Sequence, residues 1–379
     1  ILMKKKIAII GAGVAGLMVA NLIKKKSDLD FMVYERRNSL PLEDIFGIQL
    51  AVNSTSILNK IGFDKIPLEK IFHPEKIIFS SMDNYKICDL ELTKFNNEKA
   101  KYTTLQRSTL IDFLKDDIYT QHLRFGKQIK QVFEIKDKIL IKFDDNTNDL
   151  VDYIIAADGI FSNTRTFFEK DKNKIKFKNA IAIRSVLKSM HNLNIDEKNI
   201  NLIMGSNSHL VVYPINNKNE LNLVCVIREK KFDPDNIKNL INKKVLSQNL
   251  SLKDLFQGDL KSWPLYSTKA SLPSSNKKVF YLGDAFHGFL PTMGQGASQS
   301  IEGANELFNL LKDNNENAHS IYFKNRLERV KIIKKRSDLN FFTFHISNSI
   351  IRKVRDMILK YLIKNKEFVR RYLGGVYKE

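Results

Sequence analysis

The 379-residue sequence predicts an α/β fold with an inserted, mainly antiparallel β-sheet and a helical C-terminus. Three observations predict it. An apolar strand, a glycine turn and a helix open the chain in KIAIIGAGVAGLMVANL. A second strand, turn and helix stand at YLGDAFHGFLPTMGQGASQSIEGANEL, residues 281–307. Runs of alternating apolar residues occupy the stretch 175–275, and helical spacing takes over after the second helix.

The first turn carries the spacing Gly11-x-Gly13-x-x-Gly16 between the strand Ile7–Ile10 and its helix. Gly11 permits the tight turn, Gly13 lets a pyrophosphate approach the backbone, and Gly16 lets helix and strand pack closely. The free N–H groups of the helix start, at Val14 and Ala15, face the phosphates together with the positive end of the helix dipole. The next strand, in DFMVYERR, ends at Glu35, placed to accept hydrogen bonds from ribose hydroxyls, with Arg36 beside it on the cofactor side. This is a Rossmann-like dinucleotide unit. The fingerprint alone leaves FAD and NAD both open.

Composition narrows the function classes. Hydrophobic residues make up 43% and charged residues 27%, as in ordinary globular chains. Two cysteines, Cys88 and Cys225, offer no disulfide framework, so a cytoplasmic location is expected. The opening ILMKKK reads as extra residues ahead of a native start, with no signal peptide, and no apolar run approaches the ~20 residues of a membrane span. The net charge of +20 is spread along a Lys-, Asn- and Ile-rich chain with no nucleic-acid motif, so nucleic acid is not an expected partner.

Farther on, FGIQLAVNSTSILNKIGF (residues 46–63) supplies Gly47, Ile48, Leu50, Asn53, Leu58 and Gly62 in the order G-I-x-L-x-x-N…L-x-x-L-G. VDYIIAADGIFSNTR ends a strand in Asp158-Gly159, with Ser162 and Arg165 beyond. The stretch GDAFHGFLPTMGQGA matches G-D-A-x-H…P…G-Q-G-A. In these motifs and their order the chain resembles the class A flavoprotein monooxygenases, nearest to the salicylate hydroxylase and 3-hydroxybenzoate 6-hydroxylase branch. One departure stands out: Ile45 and Phe46 occupy positions where that family has small residues, in a loop near its flavin.

The resemblance implies tightly bound FAD and a transient NADH or NADPH, because no second strand-GxGxxG-helix occurs. It also implies hydroxylation of an electron-rich aromatic or phenolic molecule by O2 through a flavin C4a-hydroperoxide. Arg107, opening a helix after TTLQ, contacts the cofactor region in this reading, and Asp158 belongs to a motif associated with both FAD and the pyridine nucleotide. Asp284 at its strand end accepts from the ribityl hydroxyls. Pro291 stiffens the loop beside the ring, and Gly294, Gln295, Gly296 and Ala297 turn backbone N–H groups toward the N1–C2=O edge of a reduced flavin. His287 is expected to be structural. The single Trp263 lacks the tryptophan-rich signature of flavin-dependent halogenases.

The segments KNAIAIRSVL, INLIMG, SHLVVYPINN and ELNLVCVIRE read as an antiparallel sheet with one face covered, a roof over the flavin in the resembling family. His209 and Tyr213, four apart on one strand, project to one face and are the candidate catalytic pair, His209 as acceptor of a phenolic proton. Arg184 and Arg228 are weaker candidates for a substrate carboxylate. In the C-terminal region, Ile350, Val354, Met357, Ile358, Tyr361 and Leu362 form a helical stripe, read either as a cap on the core or as a membrane-surface or partner helix. The expected division is an FAD-binding domain of 3–70, 101–174 and 276–325, a β-sheet substrate domain of 71–100 and 175–275, and a helical region 326–379. A monomer or homodimer is expected. The alternatives are a membrane-associated hydroxylase of a quinone precursor and an FAD-binding oxidoreductase that does not hydroxylate.

Overall fold

The computed structural model describes residues 5–116, 118, 121–169, 175–188, 195–273 and 276–377. The expected domain boundaries at 3, 174, 275 and 379 fall outside those residues.

A five-stranded parallel sheet sits at the centre of the nucleotide unit, in the order Val279–Tyr281, Tyr153–Ala156, Lys6–Ile10, Asp30–Tyr34, Leu123–Arg124. Its middle strands are buried on both faces, so they read as the unbroken apolar runs IAII and YIIA. In register, Ile9 lies between Ile155 and Val33. The helices Val14–Lys26 and Gly296–Lys312 pack together on one face of the sheet. A three-stranded antiparallel sheet (Ile129–Ile135, Lys138–Phe143, Asn148–Val151) buries Ile139, Ile141 and Phe143 in the same core. Because the first and last strands of the parallel sheet flank Tyr153–Ala156, all three motif turns open at one edge, at the carboxyl ends of the strands, where ligands of open α/β sheets bind.

A seven-stranded sheet stands over this edge, ordered Lys261–Ser267, Lys176–Lys188, Glu220–Arg228, Ser208–Pro214, Ile200–Met204, Lys76–Ser81, Lys86–Glu91. Every pairing in it is antiparallel except that of Ile200–Met204 with Lys76–Ser81. The expectation of one covered face is corrected. One face packs on Ile333, Phe341, Phe344 and Tyr377 of the C-terminal helices. The other packs on Ile237, Leu240, Ile241, Val245 and Leu252. The physical reason is visible in LNLVCVI, where apolar residues occupy both alternating sets and both faces must be kept from water.

The C-terminus is helical over Ala318–Phe344, Ser349–Lys364, Lys366–Tyr372 and Gly374–Tyr377. The helix Ser349–Lys364 buries only Arg355 fully, with Leu359 and Ile363 partly buried against the core. Its stripe faces solvent, with Ile350 72%, Met357 67% and Tyr361 70% exposed. The reading of this stripe as a core cap is therefore overturned. No helix among the described residues is long and apolar enough to cross a membrane.

Candidate active site

The first glycine turn is built as its spacing requires. Gly11 adopts φ +106°, and a Cβ there would lie 2.4 Å from the Ala157 carbonyl oxygen. A Cβ on Gly16 would lie 2.0 Å from the Gly11 carbonyl oxygen, whereas one on Gly13 would meet nothing within 4 Å. Gly13 thus looks into open space at the start of the helix Val14–Lys26, whose first N–H groups are free for an anion. The Glu35 carboxylate reaches back to this turn, accepting from Ala12 N–H at 2.9 Å through one oxygen and from Arg37 N–H at 2.9 Å through the other. Arg36 is exposed beside it.

Asp158 lies at the neighbouring strand end, but both its oxygens serve the local turn. Oδ1 accepts from the Ser162 hydroxyl, and Oδ2 from Thr164 N–H at 3.0 Å and the Thr164 hydroxyl at 2.8 Å. Its carboxylate therefore caps the helix Asn163–Phe168. That helix carries buried Arg165, which donates to the Ala285 carbonyl at 3.1 Å and lies over the Tyr281 ring at 4.9 Å. The two motif turns are thereby tied to each other.

A cavity of about 300 Å³ lies between the second glycine turn and the seven-stranded sheet. Asp284, Pro291, Gly294, Gly296 and Ala297 form its floor, and Arg184, His209, Val211 and Tyr213 form its roof. Gly294 takes φ +61°, and Gly296 opens the helix Gly296–Lys312 with free space where a side chain would stand. Gln295 is buried, with Nε2 unpartnered and Oε1 accepting from Asn53 Nδ2 at 3.2 Å. These cradles fit a flavin: glycine turns at both ends, helix N-termini whose first N–H groups have no capping side chain, and an acid at each of two strand ends.

Asp284 opens on the cavity, with protein packed closely around it. That surrounding lifts its carboxyl to about 6, against the opposing pull of the Arg107 charge. The folded chain therefore holds the Asp284 proton more tightly than the unfolded chain. The stabilisation is complete below the ordinary aspartate range and is lost as pH rises through about 6. Asp284→Asn, neutral throughout, is expected to melt above the flavin-free wild type by a margin that opens as pH rises from the ordinary aspartate range to about 6 and then holds level, closing in acid. Melting curves of flavin-stripped protein across pH check this.

His209 and Tyr213 do share the roof, both buried. Burial raises the Tyr213 hydroxyl to about 12, moderated by the Arg184 charge and a hydrogen bond with Gln49, so it stays protonated at neutral pH. Burial lowers His209 to about 3. Arg184 crosses the roof with its guanidinium 5.3 Å from the Trp263 ring centroid and its Nε unpartnered. Arg107 pairs with Asp44 at 3.1 Å and donates its N–H to the Phe46 carbonyl. Phe46 turns away to pack on Trp263, ring centroids 5.9 Å apart, while Ile45 points to solvent. Phe46 thus pins the loop to the roof. His287 is buried and stacked on Phe289, 4.7 Å between rings.

Three sets of residues went unrecognised in the sequence. Glu302, Arg326 and Arg329 form a buried ionic cluster beneath the second turn. Gln49 accepts from the Tyr102 hydroxyl at 2.7 Å at the cavity wall. His345 lies 2.6 Å from His209, nitrogen to nitrogen.

Comparison with known proteins places this geometry. The sequence family described as FAD binding domain matches residues 4–330. The chain is 25% identical to a 3-amino-4-hydroxybenzoate 2-monooxygenase of Streptomyces platensis, over 93% of this chain and 92% of the relative. It is 23% identical to a salicylate hydroxylase of Pseudomonas putida, over 83% and 79%. The fold matches that of Klebsiella pneumoniae HpxO complexed with FAD and uric acid, TM-score 0.86 at 17% identity, covering 98% of this chain and 96% of that one.

Proposed function

The chain belongs to the FAD binding domain family, and from that premise we propose that it is an FAD-dependent NAD(P)H monooxygenase hydroxylating an electron-rich aromatic acid or phenol. The observation that carries this reading is the single cavity with a glycine-cradled floor and a roof bearing Arg184, His209 and Tyr213. Bound FAD supplies the transfer of electrons from NAD(P)H and the activation of O2. The protein's part is holding and shielding. Gly11, Gly13 and Gly16 with the N–H groups of Val14 and Ala15 hold the pyrophosphate, and Glu35 holds the ribose, with Arg36 alongside. Asp284 accepts from the ribityl chain. Pro291 to Ala297 frame the ring, and Gln295 offers its unpartnered Nε2. Arg107 steadies the 44–46 loop, and Asp158 acts through the turn it caps rather than by touching the cofactor.

On the roof, Arg184 is the one cation among the described residues that line the cavity and has an unpartnered Nε, so it pairs with a substrate carboxylate. The activities of the two relatives, on a hydroxybenzoate and on salicylate, support an aromatic acid. His209 and Tyr213 flank the ring. A screen of aromatic acids against their neutral esters, following NAD(P)H consumption and product mass, tests this. Acids are expected to stimulate turnover and gain one oxygen atom. Arg184→Met is expected to raise KM for acids by about tenfold or more, with little effect on neutral rings. Equal stimulation by esters and acids would contradict the role of Arg184.

The exposed stripe Ile350, Ile351, Val354, Met357, Ile358 and Tyr361 favours a peripheral contact with an anionic membrane surface. Lys353, Lys360 and Lys364 follow one border of the stripe at helical spacing, so apolar insertion and headgroup attraction act together. A second copy, carrying the same +20 charge, is repelled. The full chain is expected to sediment with phosphatidylglycerol vesicles at low salt but not with neutral ones, and the variant Ile350→Ser/Met357→Ser/Tyr361→Ser is expected to stay in solution. Stripe-dependent dimers without vesicle binding would overturn the assignment.

A further inference from the structure

We propose that Arg228 and His345 are positioning residues that lock His209 into the form that donates a hydrogen bond to the cavity, so that the substrate meets it with an anionic or carbonyl oxygen. This rests on the cavity being the substrate site, and it changes the role expected for His209 from proton acceptor to donor.

The chain of contacts fixes the protons. Arg228 Nε–H donates to His345 Nδ1 at 3.3 Å. His345 Nε2 and His209 Nδ1 lie 2.6 Å apart. A guanidinium has only N–H groups and cannot accept. His345 Nδ1 must therefore be bare, which leaves its proton on Nε2, pointing at His209. His209 Nδ1 must then accept, which leaves its own proton on Nε2. The opposite arrangement would set the His345 N–H against the Arg228 N–H. Nε2 of His209 has no hydrogen bond to any described residue, and the ring lines the cavity.

The surroundings hold this arrangement still. The Arg228 guanidinium lies 4.9 Å from the Phe341 ring centroid, His345 packs edge-on to Phe341 at 4.5 Å, and His209 packs edge-on to Phe344 at 5.4 Å. Both histidines are 2% exposed. Burial keeps both imidazoles neutral at ordinary pH, and at His345 the nearby Arg228 charge pushes the same way. A neutral ring with one assigned proton is a fixed donor. It favours an incoming anionic or carbonyl oxygen, which accepts most strongly, and it rejects an N–H presented at the same place.

The test reads the tautomers directly. The FAD-loaded enzyme, with nitrogen-15 histidine, is examined by long-range proton–nitrogen correlation at neutral pH, with His209→Gln and His345→Gln assigning the signals. Both rings are expected as the neutral Nε2–H form. Arg228→Lys, still only a donor, should keep that pattern. Arg228→Gln offers an oxygen that can accept from His345, and it should let His209 shift toward Nδ1–H. In parallel, benzoate and aniline serve as probes, with binding read from the flavin absorbance. The wild type should favour benzoate, and Arg228→Gln should reduce that preference by about tenfold. An Nδ1–H or charged His209 in the wild type, or tautomers unmoved by Arg228→Gln, would overturn the proposal. Correct tautomers in an enzyme that hydroxylates no aromatic acid would leave this inference standing and count against the proposed reaction instead.

Discussion

Gly16→Ala is expected to yield a destabilised chain that purifies without its yellow colour. The added Cβ would sit 2.0 Å from the Gly11 carbonyl oxygen and 3.1 Å from its carbon, against backbone that cannot swing aside. Relief requires the helix Val14–Lys26 to withdraw from the turn, which carries the phosphate-facing N–H groups out of place. Overpacking of this kind costs about 1–3 kcal/mol or more in a well-packed core. A loss of about 3 kcal/mol in cofactor binding would be about a hundredfold in affinity. Gly13→Ala is the informative partner, because its Cβ has open space in the protein and its φ of −82° suits any residue. It should fold and melt normally, yet bind FAD weakly, since only the cofactor would meet the new methyl. Melting temperature and fluorescence titration with FAD separate the two outcomes. Normal FAD binding by both variants would contradict the assignment of this turn.

Glu302→Ala is expected to be among the most damaging changes away from the cavity. Its two oxygens take hydrogen bonds from Arg326 Nη1 at 3.1 Å, Arg329 Nε at 2.8 Å, Arg329 Nη2 at 3.0 Å, Asn53 Nδ2 at 2.7 Å and Gln299 Nε2 at 2.9 Å. Arg326 is 2% exposed and would keep only its longer pair with Glu306 at 3.7 Å and its hydrogen bonds to Gln299, so removing the carboxylate leaves a buried guanidinium poorly compensated, a loss of about 3 kcal/mol. A fall in melting temperature on the order of 5 °C or more follows. Because Asn53 also holds Gln295 at the start of the Gly296–Lys312 helix, flavin retention should fall with it. Burial alone would raise the Glu302 carboxyl, but the Arg329 hydrogen bond and the Arg326 and Arg329 charges outweigh it and hold it at about 2. Its contribution is therefore present above the ordinary glutamate range and lost only as pH falls toward 2. The difference between wild type and Glu302→Ala should persist from neutral pH down to mild acid. An unchanged melting temperature would show that the cluster contributes nothing.

The parallel sheet and its glycine turns were legible because each needs particular residues at fixed local spacing: Gly11 for its positive φ, Gly16 for its close contact, and Glu35 at the end of the next strand. The four helices after Ala318 were legible as a class from their periodicity. What lay beyond was decided by pairings between distant parts of the chain. His345 meets His209 across 136 residues, and nothing in either neighbourhood announces the other. Glu302 likewise meets Asn53 across 249 residues. Periodicity identified the stripe from Ile350 to Tyr361 but could not say whether protein would cover it, since an apolar helix face looks the same in sequence whether it is buried or exposed. Asp158 shows the converse limit. Its motif was recognisable, but its carboxylate serves Ser162 and Thr164, a role set by the local turn four to six residues on.

In the proposed reaction an aromatic acid receives oxygen in the cavity between the Asp284–Ala297 turn and the His209–Tyr213 strand. The most direct measurement incubates the FAD-loaded enzyme, NAD(P)H and a stimulating aromatic acid under isotopically heavy dioxygen, and weighs the product against the coenzyme consumed. The expected result is one heavy oxygen atom in each product molecule, in step with NAD(P)H oxidation, and abolished uptake when Val211→Trp fills the roof. Product carrying oxygen from water, or NAD(P)H oxidised with every aromatic acid returned unchanged, would contradict it.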